Sequence, residues 1–184
     1  TLKPESFLQA LIAYAKQEKN DLLYSMALGY ISPAVRFLPA RPDGLEHALW
    51  QLVTGGITPG RRLQAFRQYV SLAESEQAAA QLYQIWEKRE LEGKPLSERD
   101  EINLSYQLAI RLPEKADEIV NEQLKRISNP DRQAEYLFIS PSVSPRKEVR
   151  DSVFEALLVA DNRRIEPWAS TAVSLLNHRL REAE

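Results

Sequence analysis

Two histidines, a pair of arginines behind glycines and a few neighbouring carboxylates are the residues here that could do chemistry, and each chemistry demands its own spacing. A catalytic zinc needs ligands one helical turn apart, as in His-Glu-x-x-His, with a third ligand from elsewhere. His47 and His178 lie far apart and neither belongs to an i, i+4 ligand pair, so both read as helix-surface histidines. A serine nucleophile wants a Gly-x-Ser-x-Gly elbow. No such elbow occurs, and the serines cluster at turns and caps. Glu74/Glu76 and Asp100/Glu101 fall on polar faces or helix starts, where carboxylates are solvated. There is no Cys, which removes disulfides, thiolate ligands and Cys nucleophiles together.

The stretch Gly55-Gly56-Ile57-Thr58-Pro59-Gly60-Arg61-Arg62 has two readings. Glycines ahead of a helix start, followed by arginines, could cradle an anion. The spacing is neither a Walker A loop nor a dinucleotide fingerprint. The other reading is a helix stop and restart, with Gly ending one helix and Thr58 capping the next, and it is the one we favour.

Charge narrows the partners. The formal net charge is −2, with 26 acidic and 24 basic residues. Arg61, Arg62, Arg67, Arg126, Arg132, Arg163 and Arg164 are spread along the chain. No basic stripe of the kind that tracks a phosphate backbone is expected, so nucleic acid is not an expected partner. Apolar runs are only a few residues long, so no membrane span is expected either. The chain opens on Thr1-Leu2-Lys3-Pro4-Glu5 with neither an initiator Met nor a signal-peptide pattern, and we expect a piece of a longer polypeptide.

The elements that must position these residues are helices. Leu8, Leu11, Ile12 and Ala15 fall at i, i+3, i+4, i+7. The stripes Leu23/Met26/Ala27/Tyr30, Leu45/Ala48/Leu49/Leu52/Val53, Ala116/Ile119/Val120/Leu124/Ile127, Val149/Val153/Ala156/Leu157/Ala160 and Ala169/Ala172/Val173/Leu176 continue the pattern. No period-two alternation bounded by turns is present, so no strands are expected. Trp50, Tyr69, Tyr83, Trp86, Tyr106, Tyr136, Phe138, Phe154 and Trp168 fall on or beside the stripes and are expected to pack in the core.

Proline and cap residues punctuate the stripes. Pro4-Glu5, Pro42-Asp43, Pro113-Glu114 and Pro130-Asp131 each place a carboxylate near the positive end of a helix. Thr58-Pro59, Asn129-Pro130 and Ser144-Pro145 put a capping side chain ahead of the proline. The reading places helices at 4–18, 20–38, 43–54, 59–73, 76–91, 97–112, 114–127, 130–139, 145–159 and 164–178, with Ser32-Pro33 interrupting the second. Short connections make neighbouring helices antiparallel hairpins. The fold class is therefore all-α, a HEAT- or armadillo-like α-α superhelix without a strict repeat consensus. One helical-repeat domain spans 1–184, and the turn at 92–96 is the best place for an internal boundary.

The second half carries a distinctive order of short motifs. Leu96-Ser-Glu-Arg-Asp100 precedes Tyr106-Gln-Leu-Ala-Ile-Arg-Leu-Pro-Glu114. Asn129-Pro-Asp-Arg132, Phe138-Ile-Ser-Pro-Ser-Val-Ser144, Val149-Arg-Asp151, Asn162-Arg-Arg-Ile-Glu-Pro-Trp168 and Leu175-Leu-Asn-His-Arg-Leu-Arg181 follow in turn. This order resembles the C-terminal helical domain of aminopeptidase N-like (gluzincin) zinc metallopeptidases, especially bacterial ones. The resemblance covers about residues 95–184, whereas residues 1–94 match only in being helical and upstream. Relatives often carry His-His-Pro where this chain has Asn177-His178-Arg179, which argues against a required His178. The family's His-Glu-x-x-His, its downstream Glu ligand and its Gly-x-Met-Glu-Asn motif are absent from this chain.

The resemblance implies a supporting role. No catalytic, metal or cofactor residue is expected in this chain, and zinc is expected on a catalytic domain upstream in the same polypeptide. The helical domain would pack on that domain and roof the peptide substrate's chamber. Arg132, Asn162, Arg163, Arg164 and Glu166 are the candidate interdomain or substrate-end contacts. Arg163 and Arg164 could grip a carboxylate bidentately, from Glu166, the catalytic domain or a peptide C-terminus. The alternative for 162–168 is an ordinary helix start, with Asn162 as cap, Glu166 near the dipole and Trp168 in the core. Two other functions stay open: a free-standing HEAT-like scaffold for a protein partner, and an anion-binding regulator using the 55–62 loop.

Overall fold

Helix starts in this chain are set by side chains that satisfy the first orphan N–H groups. Asn20 Oδ1 accepts from the N–H of Leu22 and Leu23 at 2.9 and 3.2 Å. Thr58, Ser75, Ser97 and Asn129 each accept from the residue three further on. Pro4, Pro59 and Pro130 stand at the first helical position, where no N–H is missed. The computed structural model describes residues 3–181, so Thr1 and Leu2 lie outside the described residues. Over them the chain is all-α, with one minimal hairpin. No described helix is long and apolar enough to cross a membrane.

The chain divides into two compact units, Thr1–Ala73 and Glu74–Glu184. The first holds α1 (Pro4–Gln17), α2 (Asp21–Arg36), α3 (Leu45–Thr54) and α4 (Pro59–Leu72). α1 packs on α2, α2 on α4 and α3 on α4, around the fully buried Ile31, Leu49, Val53 and Phe66. The second holds α5 (Glu76–Lys88), α6 (Glu98–Arg111), α7 (Ala116–Arg126), α8 (Pro130–Ile139), α9 (Lys147–Leu158) and α10 (Glu166–Leu176). Short 3-10 turns precede α7 and follow α8, α9 and α10. α6 lies at the centre of this unit, buried along most of its length and packed against α5 and α7. The turn at 92–96 falls inside this unit, not between the two.

Four expectations change. Pro33 sits inside α2, which runs unbroken from Asp21 to Arg36. The carbonyl orphaned by the missing N–H is that of Gly29, an exposed residue with open space around it, so solvent can satisfy it. The helix expected over 76–91 stops at Lys88. Arg89 turns left-handed at φ 59°, and a hairpin of β1 (Glu90–Leu91) and β2 (Lys94–Pro95) follows, turning through Glu92 at φ 49° and Gly93 at φ 71°. Two-residue strands are too short to show alternation, so period could not reveal them. At Pro42-Asp43 the helix begins only at Leu45, behind a left-handed Gly44, and at Pro113-Glu114 the chain first makes a 3-10 turn.

The fourth change concerns which face of α2 is buried. Tyr24, Ala27, Leu28, Ile31, Ala34 and Val35 form the core face. Leu22, Leu23, Met26, Tyr30 and Phe37 are exposed instead. α2 is thus apolar almost all round, a composition that belongs to a helix covered on both sides.

Candidate functional site

Residues 159–168 form a tight fold-back after α9. The Asn162 side chain donates to the Ala156 carbonyl at 2.9 Å, tying the 3-10 turn 160–163 to the end of α9. Asn162 therefore does not cap α10, whose N-cap position is Ile165 with no side-chain cap. The cap expected there fails because the intervening turn takes Asn162 away from the α10 N–H groups. Glu166 does open α10, in the first turn where its charge suits the dipole. Trp168 is half-buried and its ring lies 5.8 Å from that of Phe138.

The arginines of this segment point outward. Arg163 is exposed, and Arg164 makes only an exposed pair with Asp161 at 3.2 Å. A pair of that kind contributes little in water. Around them lie exposed apolar side chains. Phe154, Leu158, Val159 and Ile165 are each about half exposed or more. Phe154, expected in the core, falls off the half-buried Val149/Val153 and buried Leu157 stripe, and so does Leu158 one turn later. The segment thus exposes large apolar side chains close in sequence to Arg163 and Arg164. Reading from the stripe alone missed these residues; the signal was Leu158-Val159 extending the apolar run beyond the helical face.

Arg132 is built differently. Its NH1 donates to Glu98 Oε1 at 2.8 Å, linking α8 to the start of α6. Glu98 Oε2 also accepts from the Ser128 N–H at 2.9 Å and its hydroxyl at 2.8 Å. These donors, the Ser128 N–H and the Arg132 guanidinium foremost, hold the Glu98 carboxyl down to about 2. Arg132 thus belongs to a structural node, away from the segment that carries Arg163 and Arg164.

The 55–62 segment is a helix stop and restart. Arg61 is buried, and its Nε donates to Asp21 Oδ1 at 2.6 Å. Its terminal nitrogens donate to the carbonyls of Glu18 and Lys19, just past the end of α1, and its guanidinium lies 4.9 Å from the centre of the Tyr24 ring. Arg62 Nε donates to the Gly56 carbonyl at 2.7 Å. A Cβ at Gly56 would sit 2.9 Å from the Arg62 backbone nitrogen, so this glycine serves close packing. The Arg61 guanidinium is filled by the protein's own oxygens and Arg62 is held at Nε, an arrangement that fits the helix stop and restart better than an anion cradle.

Neither histidine has a metal-like setting. The Leu180 N–H donates to His178 Nδ1 at 3.2 Å, so the ring proton sits on Nε2 and donates to Gln107 Oε1 at 3.2 Å. His47 contacts the Gln51 amide at 2.8 Å. Among the described residues no group of three His, Asp or Glu side chains could hold a metal ion.

The buried polar groups of the second unit form a packing network. Trp86 Nε1 donates to Gln123 Oε1 at 2.7 Å, with Gln123 fully buried. Arg126 lies 4.1 Å over the Trp86 ring and donates to the Trp86 carbonyl at 2.9 Å. Tyr106 and Tyr136 stack at 5.0 Å. Ser105 Oγ donates to the Ile102 carbonyl, which leaves the Tyr136 hydroxyl to donate to Ser105 at 3.0 Å. Burial pushes both tyrosine hydroxyls far above their ordinary range, so they stay protonated; that of Tyr136 is satisfied by Ser105, whereas that of Tyr106 has no partner. No protein-family model, curated protein or solved structure matches this chain.

Proposed function

We propose that this chain is a non-catalytic helical module, the C-terminal domain of an aminopeptidase N-like zinc metallopeptidase. The observation that carries the reading is the order of motifs from Leu96 to Arg181, with Asn129-Pro-Asp-Arg132 and Asn162-Arg-Arg-Ile-Glu-Pro-Trp168 at its centre. In this reading the helices stack as a HEAT-like solenoid, and a catalytic domain of the same polypeptide supplies the zinc and cleaves the peptide. The helical module covers the substrate chamber, limits entry to peptides and excludes water, which strengthens the electrostatics of the closed site. Two features support a covering role. The outer face of α2 and the Phe154/Leu158/Val159/Ile165 surface both expose large apolar side chains. Arg163 and Arg164 lie close in sequence to the second surface and contact either the catalytic domain or the far end of the substrate.

The test is enzymatic and compositional. The purified chain, supplied with zinc, is expected neither to retain the metal nor to hydrolyse an aminoacyl-anilide. The natural gene product is expected to do both. Hydrolysis by the chain alone would overturn the non-catalytic reading. The same apolar surfaces also favour a second reading, a free-standing scaffold for a protein partner. That reading requires a natural gene product without a zinc motif and a stoichiometric partner recovered with it.

A further inference from the structure

α6 and α8 turn matching rows of side chains toward a cavity of about 250 Å3 within the second unit. Arg99, Ile102 and Tyr106 contribute from α6, and Arg132, Glu135 and Ile139 from α8. Both rows run i, i+3, i+7, the spacing that keeps residues on one helical face. The volume lies below the roughly 300–1,000 Å3 usual for drug-sized ligands, so the cavity suits something smaller.

The charges on its wall are unusual. Arg99 and Glu135 line the same space, yet neither forms an ion pair among the described residues. They are too far apart to pair with each other and are free to pair with something between them. Arg132 adds positive charge but is already half neutralised by Glu98 at 2.8 Å. The Tyr106 hydroxyl is buried without a hydrogen-bond partner, and the Glu135 charge is close enough to help keep it protonated. Ile102 and Ile139 supply an apolar wall.

A simple anion would face Glu135, and a simple cation would face two arginines. A molecule carrying both charges meets neither conflict. We propose that this cavity binds a free α-amino acid with an apolar side chain, its carboxylate on Arg99 and its ammonium on Glu135. The side chain rests against Ile102 and Ile139, and Arg132 reinforces the carboxylate end. The site does not depend on the identity of any parent enzyme, since its charged groups come from α6 and α8 and its remaining wall includes Thr171 of α10.

The experiment is a 1H–15N titration of the whole chain with L-leucine, with 4-methylpentanoate as the carboxylate-only probe and isopentylamine as the amine-only probe. Leucine is expected to give saturable shifts in the amides of 99–106 and 132–139. Each half-probe, and each of Arg99→Ala and Glu135→Gln against leucine, is expected to bind about tenfold more weakly, the loss of one charge-assisted contact. Arg99 is exposed, so its removal leaves the fold intact. Glu135→Gln keeps the shape and serves as the second variant. Absence of saturable shifts with leucine would overturn the proposal. So would 4-methylpentanoate binding as tightly as leucine, which would make this a plain anion pocket.

Discussion

Arg61 Nε donates to Asp21 Oδ1 at 2.6 Å, joining the start of α4 to the start of α2 across 40 residues. The guanidinium is buried while the carboxylate is largely exposed, with side-chain exposures of 6% and 77%. The two partners therefore differ in what they cost to remove. Arg61→Ala strands the carbonyls of Glu18 and Lys19 and opens a cavity, and is expected to destabilise the first unit by about 3 kcal/mol. Asp21→Ala leaves the carbonyl contacts in place and is expected to cost about 1 kcal/mol. Urea unfolding followed by the fluorescence of Trp50, with Trp86 and Trp168 replaced by Phe in every protein compared, reads this unit, since the Trp50 ring lies 5.1 Å from that of the buried Tyr69. Equal costs would contradict the assignment. Phosphate is expected to produce no thermal shift, because the Arg61 fork is already filled.

The Trp86–Gln123 bond offers a cycle in the second unit. Gln123→Leu leaves the buried Trp86 N–H without an acceptor, and is expected to cost about 1–2 kcal/mol. Adding Trp86→Phe removes the stranded donor. The double variant is therefore expected to be less destabilised than the sum of the singles, by roughly 1 kcal/mol. Strict additivity in chemical denaturation would show that the bond contributes nothing.

Acid acts on Glu98. Its carboxyl titrates near 2 in the folded chain against 4.5 ordinarily, so the folded state favours the ionised form. The resulting stability is fully present above about pH 5 and is lost as the pH falls toward 2. Allowing for solvent screening at a partly exposed site, it amounts to about 1–2 kcal/mol. Glu98→Gln is expected to be less stable at pH 7 and to lose less stability than the parent between pH 5 and pH 2. Parallel pH profiles for the two proteins would remove Glu98 from the acid response.

Phe154 and Leu158 test the exposed surface. Because both side chains are more than half exposed, Phe154→Ser and Leu158→Ser are expected to change stability by only about 0.5 kcal/mol. Under the proposed function they are expected to weaken association with the proposed catalytic domain by tenfold or more, each removing a large apolar contact. Loss of folding instead, seen in the melting curve, would place these residues in the core.

Helix positions were legible because Pro4, Pro59, Pro130 and the capping Thr58 and Asn129 carry local, backbone-level instructions. Burial was less legible. On α2 two apolar stripes lie side by side, and nothing local says that Ile31 turns inward while Tyr30 turns outward; the packing of α1 and α4 on the helix decides it. The hairpin at 90–95 escaped notice because it has no period, only the left-handed Arg89, Glu92 and Gly93. The role of Arg61 was equally hidden, since its partners Glu18, Lys19 and Asp21 come from a turn some 40 residues earlier. Arg132 and Arg164 looked alike in sequence, yet one bonds Glu98 on another helix and the other pairs with its neighbour Asp161 in solvent.

The measurement that bears most directly on the account is made on the natural protein, purified at its full length. Its mass, its bound metal and its hydrolysis of aminoacyl-anilides are read from one sample, beside the isolated 184-residue chain. The proposed function requires a longer polypeptide with about one zinc per chain and activity abolished by a chelator, and an isolated chain with neither. A natural protein that carries no zinc and cleaves no aminoacyl-anilide would contradict it.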